Sequence, residues 1–328
     1  MEVISKKVLV IRFNAIGDIV LTTPVVDALA SQGYQVHYLV KSAFAELLDH
    51  NPFVHKVWAL TDSLTDLLDP LKSEAFDVII DLHNNLRSGR VKSALKVKSY
   101  TFKKDRLRLL MLTKLGINRV KEKHIVYRFM DVLKPLGIAE GEPAPTTYIP
   151  DTIAQQWLYP LPSHYLAIAV GAAWKTKQIP TETILEVIKQ TQYNEVVLVG
   201  GPDDKKIALE IEQGTSSAVL NLTGKLSITE SAHVIQQASA VLAGDTGMMH
   251  IAASLGTPCV AIYGSTHPVL GYTPFYGKHK PVFHLVQNEN LNCRPCTKQG
   301  EHQCPRGHFK CMLDLDHKEI VDKIDSFV

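Results

Sequence analysis

This chain of 328 residues has no apolar run long enough to cross a membrane, few cysteines and little excess charge. Its first 21 residues superficially resemble a secretory signal, but Arg12 and Asp18 interrupt the apolar run. We therefore expect a first buried strand in a cytoplasmic protein. The net charge of +2 argues against a general binder of polyanions. Five cysteines are too few to form a disulfide scaffold in a chain of this length.

The glycine motif of dinucleotide-binding folds is also missing. The turn after the first predicted strand contains only Gly17, and the second half offers Gly171-Ala172-Ala173 and Gly200-Gly201-Pro202. None of these has the G-x-G-x-x-G spacing that brings backbone close to a pyrophosphate. The sequence therefore argues against an ordinary NAD-dependent dehydrogenase.

Strands alternate with helices along most of the chain, which is typical of doubly wound parallel sheets. A segment with five prolines, residues 139–162, interrupts the alternation, and the pattern then restarts. We expect two Rossmann-like α/β domains, residues 1–150 and 151–328, facing each other across a cleft. The predicted strands of the first domain cover residues 7–13, 35–40, 54–60 and 77–81.

The stretch from Val241 to Pro268 reads as strand, tight loop, helix, turn and strand. The loop Gly244-Asp245-Thr246-Gly247 falls at the carboxyl end of a parallel strand and at a helix N-terminus. Backbone N–H groups and the helix dipole attract anions there, and the two glycines allow close approach. The alternative is that Asp-Thr-Gly only caps the helix.

Four motifs, in order, resemble those of the family 9 glycosyltransferases, the heptosyltransferases of lipopolysaccharide core synthesis. They are VLVIRFNAIGDIVL (8–21), GAAWKTKQIP (171–180), VGGPDD (199–204) and the stretch 242–268. The resemblance implies a GT-B fold, an inverting mechanism without a metal and a nucleotide-sugar donor, of which ADP-heptose is the best-known in the family. It also implies a final helix that crosses back onto the first domain.

The resemblance assigns catalytic roles to Asp18 and Lys177. Asp18 would take the proton from the acceptor hydroxyl, with Asn14 and Gly17 beside it on the acceptor side. Lys177 would balance the charge of the leaving diphosphate, and Lys175 is close enough in sequence to share that role. The family pattern has Trp-Pro after the lysine, whereas this chain has Ile179-Pro180. The alternatives are a helix acid in the first turn and solvated loop lysines.

The resemblance assigns donor binding mainly to the central loop. Thr246, Gly247 and Met248 would hold the donor phosphates, with Asp245 orienting neighbouring groups. Asp203 lies near the position of an acid that contacts the ribose. His250 follows Thr246 by one helical turn and either touches phosphate or is a structural histidine.

Residues 92–128 carry twelve lysines and arginines, including Lys121, against Asp105 and Glu122. The alternation of leucines with these cations predicts a helix at the surface of an anionic membrane. The other interpretation is a solvated charged face. Within the resemblance, this segment would serve an anionic, lipid-linked saccharide acceptor at the inner face of the inner membrane. No nucleic-acid motif accompanies it.

Cys293, Cys296, Cys304 and Cys311 form a C-x2-C-x7-C-x6-C array in a segment without periodicity. Four thiols at this spacing are consistent with a structural zinc ion, but the paired spacing of a zinc ribbon is missing. Zinc, reduced thiols and a disulfide all stay open. We expect no cofactor to be required for catalysis.

The sequence therefore predicts a membrane-associated inverting glycosyltransferase. Other GT-B enzymes, including a transferase for another nucleotide sugar or a sugar epimerase, remain rivals. So does a scaffold protein that binds nucleotide without turnover.

Overall fold

The computed structural model describes residues 6–120, 123–138 and 141–328. Lys121, Glu122 and Ala139, which the sequence analysis placed in the basic and proline-rich segments, lie outside the described residues. Contacts divide the chain into two compact units, residues 1–104 with 123–148 and residues 105–122 with 149–328. Two α/β units were predicted, and this part of the expected fold class is confirmed.

The first unit contains a five-stranded parallel sheet in the order β3-β2-β1-β4-β5. The apolar residues of β1, β2 and β4 are buried, whereas the edge strands β3 and β5 keep exposed residues. Its elements are β1 (Lys7–Ile11), α1 (Ile16–Ser31), β2 (Gln35–Lys41), α2 (Glu46–Asp49), β3 (Lys56–Leu60), α3 (Leu64–Ser73), β4 (Val78–Asp81), α4 (Leu86–Leu95), β5 (Lys98–Thr101) and, after the intervening helix α5, α6 (Ile125–Met130).

The second unit contains a six-stranded parallel sheet in the order β11-β10-β9-β6-β7-β8. Its elements are α5 (Arg106–Leu115), α7 (Asp151–Gln155), β6 (Leu166–Ala169), α8 (Thr181–Gln190), β7 (Glu195–Val199), α9 (Lys205–Gln213), β8 (Ala218–Asn221), α10 (Ile228–Gln237), β9 (Ala240–Gly244), α11 (Gly247–Leu255), β10 (Cys259–Tyr263), β11 (Phe283–Gln287), α12 (Lys310–Leu313) and α13 (His317–Asp325).

The final helix α13 packs in the core of the second unit. Ile320, Val321 and Ile324 are buried in the core formed by β6, β7, β9 and β10. These three side chains lie on one face of the helix, and the core of the second unit takes that face out of water.

The basic helix α5 is grouped with the second unit, whereas the sequence placed the whole basic segment in the first domain. Leu112 and Val120 pack against Leu270 in a small apolar cluster. This contact joins residues far apart in the chain, so no local pattern could have indicated it. Among the described residues, no helix combines the length and apolarity needed to cross a bilayer.

His37 is a buried ionisable group in the core of the first unit. It lies on β2 with no exposed surface, and its Nδ1 accepts a hydrogen bond from Trp58 Nε1 at 3.1 Å. Burial lowers the pKa of His37 to about 4, and this effect outweighs the opposing effect of Glu74. The imidazole is therefore neutral in the folded protein near pH 7.

We expect the folded state to lose stability below pH 6.5. The unfolded chain protonates His37 near pH 6.5, whereas the folded chain does so only near pH 4. Protons thus favour the unfolded state in this window, by about 2 kcal/mol at pH 5. In His37→Gln, the loss of unfolding free energy between pH 7.5 and pH 5, measured by urea unfolding, should be smaller by about that amount. The exposed His50 provides the control, and a His50→Gln protein with the same reduction would contradict this assignment.

Candidate functional site

Each sheet has one point where the chain leaves adjacent strands in opposite directions. In the first sheet β1 lies between β2 and β4, and in the second β6 lies between β7 and β9. At such a point the loops after the two neighbouring strands diverge and leave a crevice that binds ligands in open α/β sheets. The candidate residues are therefore those that follow β1 and β4 in the first unit and β6 and β9 in the second.

In the first unit, a buried arginine follows β1 and pairs with the predicted base. Arg12 is 8% exposed and donates from Nε to the carbonyl of Asn14 at 2.9 Å and from Nη1 to that of Leu82 at 3.0 Å. Its Nη2 forms an ion pair with Asp18 Oδ2. Asp18 lies in the first turn of α1, next to the buried Gly17. Within the described part of the chain, Asp18 Oδ1 is buried without a hydrogen-bond partner.

Asp81, at the end of β4, fixes the loop that receives the guanidinium. Its Oδ1 accepts hydrogen bonds from the backbone N–H groups of His83 (3.0 Å) and Asn84 (2.7 Å). Its Oδ2 accepts from Ser88 Oγ and pairs with Lys92 Nζ, both at 2.8 Å. The Asp81 carboxylate therefore fixes the loop that begins at Leu82. The carbonyl of Leu82 accepts the hydrogen bond from Arg12.

In the second unit, the loops after β6 and β9 meet through a buried ion pair. Lys177 ends a short 3-10 turn, Lys175–Lys177, and its Nζ lies 2.8 Å from Asp245 Oδ2. The same carboxylate oxygen accepts a hydrogen bond from Thr266 Oγ1 at 2.7 Å. Asp245 is only 6% exposed, so these two partners compensate for the loss of its hydration.

Gly244 permits this close approach of the two loops. A Cβ atom at this position would collide with the backbone carbonyl oxygen of Lys177. The glycine is therefore required for packing at the end of β9, in addition to any role in binding a ligand.

The N-terminus of α11, which follows Asp245, has no side-chain cap. Thr246 is the N-cap residue, but its side chain makes no capping hydrogen bond, and Gly247 and Met248 begin the helix. Among the described residues, Thr246 Oγ1 is buried without a partner. Uncapped N–H groups, a hydroxyl and the helix dipole together form an arrangement suited to a phosphate.

Three other residues were predicted to bind the donor: His250, Lys175 and Asp203. His250 is buried on α11, one turn beyond Thr246. Lys175 is exposed, so Lys177 alone of the two lysines pairs with Asp245. Asp203 is exposed on the turn Pro202–Asp204 after β7.

All five cysteines are free thiols. Cys296 Sγ donates to the carbonyl of Cys293 at 2.9 Å, and Cys304 Sγ accepts from the N–H of Phe309 at 3.4 Å. Burial, followed by the neighbouring Cys293, raises the pKa of Cys296 to about 12. No set of three or more histidine, cysteine or acidic side chains within the described ranges is placed to hold a metal ion. The structural zinc ion at these cysteines and Cys311 therefore stays a prediction.

Arg12 and Thr266 were not predicted to be site residues. Arg12 had a usable signal, since it is a single cation at the end of the apolar run of β1. Thr266 had no such signal, because its role depends on a hydrogen bond to a residue 21 positions earlier.

The overall fold is similar to that of a known solved structure. The fold is similar to that of Escherichia coli ADP-heptose lipopolysaccharide heptosyltransferase II, with a TM-score of 0.75 and 18% sequence identity over 98% of each chain. The fold is GT-B.

A family model, "Glycosyltransferase family 9 (heptosyltransferase)", matches residues 64–304. The chain belongs to this family. It is 25% identical to lipopolysaccharide heptosyltransferase 1 of Pseudomonas aeruginosa over 95% of this chain and 92% of that protein. It is 29% identical to lipooligosaccharide heptosyltransferase 2 of Haemophilus influenzae, over 42% of this chain and 39% of that protein.

We expect Lys177→Met to destabilise the second unit, because it leaves the Asp245 carboxylate buried with only a hydroxyl partner. The free energy of unfolding in urea should fall by about 2–3 kcal/mol. The double variant Lys177→Met/Asp245→Asn removes the buried charge and should regain at least half of that loss.

The matched control is Lys175→Met, which changes an exposed lysine of the same turn and should alter stability by less than about 0.5 kcal/mol. Equal losses in the two single variants would show that the ion pair contributes nothing to stability.

Proposed function

We propose that this chain transfers a heptose from ADP-heptose to the lipopolysaccharide core or a related lipid-linked saccharide, with inversion at the anomeric carbon. The observation that carries this proposal is the N-terminus of α11, which has no side-chain cap and follows the Lys177–Asp245 ion pair. The Thr246 hydroxyl at this position has no partner among the described residues. A diphosphate is the ligand that best fits these groups.

The second unit would bind the donor and stabilise its leaving group. The N–H groups at the start of α11 and the Thr246 hydroxyl would hold the phosphate oxygens. As the glycosidic bond breaks, its electron pair passes to the diphosphate, and the Lys177 ammonium would stabilise the developing charge. Asp245 would keep the ammonium in place, which supports a mechanism in which a protein cation performs this task.

The first unit would supply the catalytic base. The acceptor hydroxyl attacks the anomeric carbon, the new carbon–oxygen bond forms as the diphosphate leaves, and the proton passes to Asp18. Arg12 holds Oδ2 and leaves the buried Oδ1 without a partner among the described residues, so Oδ1 is the atom to receive the proton. A single displacement of this kind inverts the anomeric configuration.

The choice of ADP-heptose rests on the family and on the named substrate of the Escherichia coli structure. A transferase for another nucleotide sugar would share the phosphate site. A sugar epimerase would release product without an acceptor, and a scaffold protein would bind nucleotide without turnover.

We expect Asp18→Asn to lower kcat for transfer from ADP-heptose by about 10²- to 10⁴-fold, because the amide cannot accept the proton. ADP should still bind, since the phosphate residues are in the second unit. ADP at 100 times its dissociation constant should raise the unfolding free energy by about 2.7 kcal/mol, measured by thermal shift.

Asp62→Asn, which alters an exposed carboxylate of the same unit, is the control and should transfer normally. An Asp18→Asn protein that keeps more than about a tenth of the wild-type kcat would contradict the assignment of the base. Stabilisation by UDP, GDP or dTDP and not by ADP would show that the donor carries another nucleotide. Stabilisation by NAD alone would contradict transfer.

We further propose that the protein acts as a peripheral protein at the cytoplasmic face of the inner membrane and that α5 contacts the lipid. Leu107 is 71% exposed, Leu110 53% and Leu115 67%. Arg106 and Lys114 on the same helix are also exposed. Exposed leucines next to cations suit the interface of an anionic bilayer, where apolar burial and charge attraction add.

We expect Leu107→Ser/Leu110→Ser to reduce binding to vesicles containing phosphatidylglycerol by roughly tenfold in a sedimentation assay, because two apolar side chains no longer enter the interface. The control is Leu158→Ser/Leu209→Ser, which changes two exposed leucines elsewhere in the second unit. If the two double variants lose binding equally, α5 has no special role in contacting lipid.

A further inference from the structure

The four cysteines 293, 296, 304 and 311 define a cysteine-rich segment, residues 293–311, that follows β11. Arg294 lies between the first two of these cysteines. Its guanidinium is partly buried and donates hydrogen bonds to five uncharged acceptors. The acceptors are the carbonyl oxygens of Gly264 (2.6 Å), Tyr263 (2.8 Å), Thr266 (3.0 Å) and Asn288 (3.0 Å) and the side-chain oxygen of Gln287 (3.0 Å).

Three of these acceptors belong to the short segment 263–266, which begins at the end of β10. A planar guanidinium with several fixed donors holds a set of carbonyl groups in one relative arrangement, which a flexible ammonium cannot do. Arg294 therefore fixes the backbone of the segment that carries Thr266.

The segment 263–266 in turn holds the ion pair of the candidate site. Thr266 Oγ1 donates to Asp245 Oδ2 at 2.7 Å, and Lys177 Nζ lies 2.8 Å from the same oxygen. A shift of the Thr266 backbone would thus move the carboxylate that orients the Lys177 ammonium.

A second set of hydrogen bonds ties the same segment to the turn that carries the lysine. The N–H of Ser265 donates to the carbonyl of Thr176 at 3.2 Å, and Ser265 Oγ donates to Thr176 Oγ1 at 2.8 Å. The carbonyl of Ser265 accepts from the N–H of Cys296 at 2.9 Å. Thr176 directly precedes Lys177, so Ser265 supports the turn through its side chain and its backbone. Cys296 connects the cysteine-rich segment to Ser265.

Gly300 brings the cysteine-rich segment against the lysine side chain itself. A Cβ atom at Gly300 would lie 2.6 Å from Trp174 Cβ and 3.1 Å from Lys177 Cδ. Its φ of +99° is also in the region that favours glycine. The aliphatic part of Lys177 therefore packs against this segment, which restricts its rotamers.

We propose that Arg294 is a positioning residue for transfer: it sets the location of the Lys177 ammonium by fixing the segment 263–266 and does not itself touch the substrate. This inference rests on the proposed function for its effect on catalysis. The geometric part, that Arg294 immobilises the segment 263–266 and the turn 174–178, stands separately and has its own readout.

The first measurement is hydrogen–deuterium exchange on the full chain of wild type, Arg294→Lys and Arg306→Met. Arg306 lies in the same cysteine-rich segment but is exposed, so it is the matched control. Arg294→Lys keeps the charge and loses the fork of donors. We expect faster exchange in peptides covering 174–178 and 263–266 in Arg294→Lys alone, with α13 unchanged. Unchanged exchange in both peptides would overturn the proposal.

The second measurement is steady-state transfer from ADP-heptose. In Arg294→Lys, kcat should fall about tenfold or more and the donor KM should change less than about threefold, because the leaving-group charge that Lys177 meets develops in the transition state. In a Lys177→Met background, Arg294→Lys should cause little further loss, since its effect passes through the lysine.

If the fold-losses of kcat in the two single variants multiply in the double variant, Arg294 does not act through Lys177. That result would overturn its positioning role. If wild-type protein binds ADP but transfers nothing, the proposed function fails, and the exchange experiment alone decides whether Arg294 immobilises the two loops.

Discussion

The arrangement of the second unit depends on one buried carboxylate. Asp245 directly follows β9, a strand in the interior of the sheet. It is buried, so water cannot stabilise its charge, and it needs partners from other parts of the chain. Lys177 comes from the loop after β6 and Thr266 from the segment after β10. The compensation of this charge therefore holds three loops together at the carboxyl edge of the sheet, and the same contacts set the lysine beside the start of α11.

In the first unit, too, an ion pair compensates the charge of an aspartate. Asp18 on α1 is paired with Arg12, and the arginine is held by carbonyl groups from its own loop and from the loop after β4. In both units an aspartate pairs with a basic side chain where the strand order reverses. Asp245 also accepts a hydrogen bond from Thr266, whereas Asp18 Oδ1 has no partner among the described residues. Within the described part of the chain, the groups without a partner differ between the units. They are a carboxylate oxygen of Asp18 in the first unit and the Thr246 hydroxyl at the uncapped start of α11 in the second. This difference suits a proton acceptor in one unit and a phosphate site in the other.

The cysteine-rich segment has a defined structural task whether or not it binds a metal. It has no core of its own and is attached by Arg294, by the backbone of Cys296 and by the contact of Gly300 with Lys177. All three attachments lie near the candidate phosphate site. A segment without periodicity, which resembles a surface loop in the sequence, is therefore part of the scaffold of the site.

The sequence by itself determined the alternation of strands and helices and the two parallel sheets, because apolar periodicity is a local property. From short motifs it also predicted site roles for Asp18, Lys177 and Thr246. It did not reveal the short strands β5, β8 and β11, whose residues are mostly half-exposed and carry a weak apolar signal. Only the tertiary structure decided that Arg12 pairs with Asp18, that Arg294 supports the loop of Thr266, and that α5 and α13 pack in the second unit. These contacts depend on which loops the strand order brings together, and strand order arises from pairing across long chain separations that no local pattern records.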